Sequence, residues 1–160
     1  MAKKALCIVG GALMVVSMFL PVLFFNISGS GYGVSFSASV YYWMFGFGYA
    51  VASASYGGQT ASMTSSNFDL DILGGICMAI IFVGAILAFA LAGSDSKAAL
   101  IGGLFGMLGM IIYIGGVYGG FMVPSWVTAA ASAGYLVPFV GFYLCILGGI
   151  LALIGGALSS

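Results

Sequence analysis

"YGVSFSASVYYWMFGFGYAVASASYGGQ", Tyr32 to Gln59, is the stretch whose reading decides the fold. Its first half alternates. Val34, Phe36, Ala38, Val40 and Tyr42 stand against Ser35, Ser37, Ser39 and Tyr41. Period two with β-branched and aromatic residues reads as a half-buried strand. A second extended piece is expected over 49–55, with Tyr49, Val51, Ser53 and Ser55 on one face. "YGGQ" supplies a turn in which Gly58 takes a positive φ, and 59–64 returns as a third strand. The sequence therefore predicts a small antiparallel sheet with a polar, uncharged face of Ser, Thr and Ala.

The flanking sequence is of another kind. Of 160 residues, 63% are hydrophobic and only 4% are charged, where soluble domains carry about 25%. Six charged side chains do not cover a water-soluble fold of this size, so most of the chain is expected in lipid. Four apolar segments, 5–25, 70–92, 98–118 and 136–158, each reach the ~20 residues that a helical span needs. The fold class expected is thus an all-α membrane protein. It would be a single domain, a four-transmembrane-helix bundle with a small antiparallel β-sheet in the first outer loop. The first apolar run exceeds the core of a signal peptide and reads as a retained anchor.

Lys3 and Lys4 precede the first segment, and Lys97 closes a short turn over 93–97. The positive-inside rule puts these on the cytoplasmic side. The expectation is a multi-pass protein of the cell membrane with both termini cytoplasmic and outer loops over 26–69 and 119–135. Asn67 or Asp69 is expected to cap the second segment, with Asp69 and Asp71 favouring the positive end of its dipole. The rival reading makes the two aspartates a cation site. Pro138 suits the first turn of the last helix. In "PSWVTAAASAG", Ser125 would cap a short surface helix, Gly134 would end it, and Trp126 would sit at headgroup level. Cys7, Cys77 and Cys145 all fall in apolar segments and read as small hydrophobes.

The 27 glycines are not scattered. Gly141, Cys145, Gly148, Ala152, Gly155 and Ser159 step by four and three along one helix face. Gly102, Gly106, Gly109, Gly116 and Gly120 keep the same rhythm, with Tyr113 as the exception. In lipid, close van der Waals contact drives helix association, and small residues permit it. These two seams are expected to face each other or a neighbouring subunit as a glycine zipper.

Catalytic chemistry has few carriers here. Without His there is no Ser-His or Cys-His nucleophile pair, and the spans hold no ionisable group at mid-membrane. No cofactor, metal site or independent enzyme activity is expected, and zero net charge offers nucleic acid nothing. Asn26-Ile27-Ser28 is an N-glycosylation acceptor triplet on the outer side. Gly46-Phe47-Gly48-Tyr49 is similar to the core of potassium-channel filters, but Met44-Phe45 stands where such filters place Thr, and no Asp follows. The aromatic run Tyr41, Tyr42, Trp43, Phe45, Phe47 and Tyr49 reads instead as strand end plus interfacial anchor.

A long strand-forming first outer loop and a shorter second one resemble the claudin-like tetraspan arrangement. Claudins carry a Trp, a Gly-Leu-Trp and two Cys in that loop; here Trp43 stands alone. The resemblance implies lateral self-association through outer sheets, cell contact or accessory-subunit work. "GGALMVVSMFLPVLFFNISGSG" also looks like small four-span membrane proteins of archaea and bacteria. The function expected is structural or accessory. The chain would sit in the lipid bilayer and act through contacts with its own copies or with other membrane subunits. The alternatives are a passive channel or transporter subunit, and a viral envelope or vesicle coat protein.

Overall fold

The computed structural model describes residues 2–90 and 96–158. The end of the second expected span, most of the 93–97 turn, and Ser159 lie outside the described residues. The elements run α1 (Ala2–Met18), β1 (Leu23–Gly31), β2 (Val34–Tyr42), β3 (Phe47–Tyr56), β4 (Gln59–Phe68), α2 (Ile72–Ala90), α3 (Ser96–Gly119), α4 (Ser125–Ser132), β5 (Leu136–Pro138) and α5 (Val140–Ala157).

This is a mixed α/β fold, and it corrects the expectation of an all-α four-span bundle. The strands form one five-stranded antiparallel sheet in the order β4-β3-β2-β1-β5. Among the described residues three helices are long and apolar enough to cross a membrane: Ile72–Phe89, Lys97–Gly119 and Val140–Ala157. The first expected span falls short because its helix stops at Met18 and its last three residues, Leu23 to Phe25, are strand. Pro21 has no N–H to donate and biases the preceding residue away from helix, so α1 ends at Met18 after 17 residues. Leu23, Phe24 and Phe25 then pair with Tyr42, Tyr41 and Val40 on one side and with Pro138, Val137 and Leu136 on the other. That second pairing also corrects the role of Pro138. It ends β5, and α5 starts two residues later at Val140.

α1, α2, α3 and α5 pack antiparallel to their neighbours, α1 on α5, α5 on α3, α3 on α2, and α2 back on α1. The core between them holds Met14, Ile81, Met110 and Tyr113, all fully buried. The sheet grows from one end of this layer. Leu23 and Tyr42 at its foot are buried, whereas the hairpin tips at Tyr32 and Tyr56 are open. Lys3, Lys4 and Lys97 lie on the first turns of α1 and α3, at the opposite end.

Candidate functional site

The foot of the sheet is where strands and helices meet around the buried carboxylate of Asp71. β2 and β3 are joined by a tight turn. Gly46 N–H donates to the Trp43 carbonyl at 2.9 Å and Trp43 N–H to the Phe47 carbonyl at 2.9 Å. Gly46 holds φ +89°, and a Cβ there would run into the Asp69 carbonyl; only Gly satisfies both demands. Its carbonyl accepts from Asp69 N–H at 2.9 Å. The turn therefore seats the chain entering α2.

Asp71 sits beside that turn, only 3% exposed. Its Oδ1 accepts from Gly74 N–H at 2.7 Å, which makes it the cap of α2. Its Oδ2 accepts from Tyr42 Oη at 3.0 Å and Tyr113 Oη at 2.9 Å. One carboxylate thus ties β2, α2 and α3 together. Asn67 and Asp69 do not cap α2 as expected. Asn67 Nδ2 donates to Asp69 Oδ2 at 2.9 Å, and that oxygen also accepts from Trp126 Nε1 of α4 at 2.8 Å. Burial pushes the Asp71 carboxyl above its ordinary value, against the downward pull of the bonds from Gly74, Tyr113 and Tyr42. Burial, and then the neighbouring Asp71, push the Tyr42 phenol up as well. Every oxygen of Asp71 has a protein partner, so its chemistry is that of a structural cap. Sequence reasoning missed this cluster; the available signal was an Asp immediately before an apolar helical run.

The aromatic run is divided by the turn. Tyr42 and Met44 point into the core, which corrects Tyr42 as a surface anchor. Trp43, Phe45 and Phe47 cluster on the outside, with Trp43 and Phe47 ring centroids 5.2 Å apart. Trp43 Nε1 donates to the Phe19 carbonyl beyond the end of α1 at 3.1 Å. This cluster lies at the level where the helices end. Tyr41 packs on Phe24 and Phe139, and Tyr49 is exposed. Trp126 meets Tyr42 edge to face with centroids 5.1 Å apart. The helix carrying Trp126 begins at Ser125 with Pro124 as its cap, without the expected serine bond, and Gly134 follows its end at φ +75°.

The two glycine seams touch at Cys145 and Gly106, but most of each faces another helix. Along α5, Gly141, Gly148 and Gly155 meet α1 and the chain just after it, at the Ser17 carbonyl, the Gly10 carbonyl and Cys7. Cys145 Sγ donates to the Gly106 carbonyl of α3 at 3.5 Å, and Cys7 Sγ to that of Ala152 at 3.9 Å. Along α3, Gly102, Gly109 and Gly116 meet α2 at Gly84, Ile81 and Leu73, while Gly106 meets Met14 of α1. Gly120 lies beyond the helix against Thr128. The contact between α3 and α5 uses Gly103 and Gly149 besides the Cys145–Gly106 bond.

Above its foot the sheet is a single layer with two unlike faces. Cross-strand rows on one face read Ser28, Ser37, Ser53, Ser62 and Ser30, Ser35, Ser55, Thr60. Asn26 belongs to this face, exposed, its amide donating to Ser39 Oγ at 3.4 Å. Rows on the other face read Gly29, Phe36, Ala54, Ala61 and Ile27, Ala38, Ala52, Met63. Phe36, Ala38, Ala52, Ala54, Ala61 and Met63 of these rows line a shallow hollow of about 250 Å³. Met63 is 69% exposed, and all ten residues of the edge strand β4 are exposed. β4 carries no charge and no proline, the devices that usually blunt an edge.

No protein-family model matches the chain, and no curated protein is significantly similar to it.

Proposed function

We propose that this chain is a structural or accessory membrane protein that acts through lateral protein–protein contacts, as a homo-oligomer or as a subunit of a larger membrane assembly. The observation that carries the reading is β4, ten consecutive exposed, uncharged residues on the edge of an uncovered sheet. Two layers normally share a core, and a lone sheet with both faces open leaves apolar surface and backbone groups to be covered. The lysines support an orientation. Lys3, Lys4 and Lys97 gather at the end of the helix layer away from the sheet, which the positive-inside rule makes cytoplasmic. The sheet then stands outside. Four strands drawn from the segment between α1 and α2 support the likeness to claudins, which itself implies association through outer sheets. The reading is of a non-catalytic protein: there is no His, and the cysteines lie buried on three different helices.

The test is gentle extraction from the native membrane, followed by native mass and identification of every polypeptide in the particle. A multiple of 16.3 kDa, or a stable set of companion proteins, is the expected result. A bare monomer at membrane-like concentrations contradicts the proposal.

A further inference from the structure

Resting on that reading, the geometry points to the partner: we infer that β4 pairs antiparallel with β4 of a second copy, about a two-fold axis at Met63. The β3–β4 hairpin turns through two residues, Gly57 and Gly58, so Tyr56 and Gln59 form its closing pair. In such a hairpin the closing pair exchanges both backbone bonds, and bonding then alternates. Gln59, Ala61, Met63, Ser65 and Asn67 therefore bond inward to β3. Thr60, Ser62, Thr64, Ser66 and Phe68 turn their N–H and C=O groups outward, to the open edge; the Phe68 N–H is already taken by Asn67 Oδ1 at 2.9 Å, which leaves four.

One self-pairing register satisfies all four. With Met63 opposite the partner copy's Met63, Ser62 meets Thr64 and Thr60 meets Ser66. Each of these pairs brings two outward-facing residues together, so both bonds of each pair form. The same register keeps the faces in phase. Apolar Ala61 and Met63 continue the apolar face of the second copy, and the hydroxyl rows continue into hydroxyl rows. A one-residue slip would set outward groups against inward ones and turn every side chain to the wrong face. The strand has no charge, so two copies meet without repulsion, and an isologous contact of this kind closes as a dimer. The product is a ten-stranded sheet. Its axis runs perpendicular to the sheet, so the foot of one copy's sheet lies beside the hairpin tips of the other.

Cysteine crosslinking in vesicles holding the full chain tests this. At the axis the two Met63 Cβ atoms would be about 5 Å apart, as in a directly opposed pair. Ser53 on β3 would be about 14 Å or more from its counterpart, three strand spacings away. Met63→Cys is expected to give a disulfide dimer under mild oxidation, at least tenfold more than Ser53→Cys. The native cysteines are buried. Thr64→Pro in the Met63→Cys background removes one outward N–H without touching the β3 ladder, and the dimer yield is expected to fall severalfold. Ser62→Lys is the second edge variant and should act in the same direction. A Met63→Cys yield no higher than that of Ser53→Cys overturns the pairing, as does a crosslink to a different polypeptide. If the native particle is nonetheless larger than one chain, lateral assembly stands and only this edge is excluded. A monomeric particle together with no crosslink removes both.

Discussion

Asp71 accepts three hydrogen bonds on two oxygens in a site almost closed to solvent. Removing one phenol should therefore be felt. Tyr42→Phe and Tyr113→Phe are each expected to lower stability by about 1.5–3 kcal/mol, the range for bonds to a charged group. Because they share one oxygen, the double variant should depart from additivity; thermal unfolding in detergent checks both points. Asp71→Asn is expected to be mild. Its oxygen can keep the Gly74 bond while its amide donates to both phenols. Asp71→Ala strands two phenols and an amide and should cost about 3 kcal/mol or more. The pH dependence follows from the raised carboxyl. Its contribution is fully present below the ordinary value of 3.8 and is lost as pH rises through the higher folded value. Stability should thus decline with rising pH across that window, and the Asn variant should lack the decline. A slope unchanged in Asp71→Asn would place its origin elsewhere.

At the scale of elements, close backbone approach sets the packing. A Cβ on Gly148 would lie 2.6 Å from the Gly10 carbonyl. Gly148→Leu is expected to part α1 from α5 and cost at least about 1–3 kcal/mol, as overpacking does. Gly115 has open space around its position on α3, and Gly115→Ala should raise stability by about 0.5–1 kcal/mol through helix propensity. Equal effects of the two would argue that glycine content, not contact, matters. The seams themselves were legible in the sequence because their spacing is a property of one helix. Their partners were not, since spacing along one helix says nothing of which neighbour it meets. The same division holds for the strands. β2 showed in its alternation of Val, Phe and Ala with Ser. β1 was hidden because Leu23, Phe24 and Phe25 continue an apolar run, and Asn26 to Gly31 are polar or glycine. β5 is too short to carry a period at all. Asp71 was visible only as one of two acids, because its burial depends on Tyr42 and Tyr113, distant in sequence.

At the scale of the molecule, an apolar helix layer carries a thin sheet whose edge, hydroxyl face and apolar face all remain open. Composition announced the helices, but it overstated the number of membrane spans because greasy residues serve strands as well as spans. The open sheet is the surface through which the proposed assembly forms. Its most direct test is hydrogen exchange at the backbone amides of Thr60, Ser62, Thr64 and Ser66, compared with Ala61, Met63 and Ser65. In an isolated chain the first set faces solvent and should exchange freely, while the second is held by β3. In the native membrane the outward amides are expected to become protected to a degree approaching their neighbours. They should lose that protection when the particle is diluted to single chains in detergent. Fast exchange of Thr60, Ser62, Thr64 and Ser66 in the membrane itself would show an edge with nothing on it, and would contradict the claim that this protein works through its sheet.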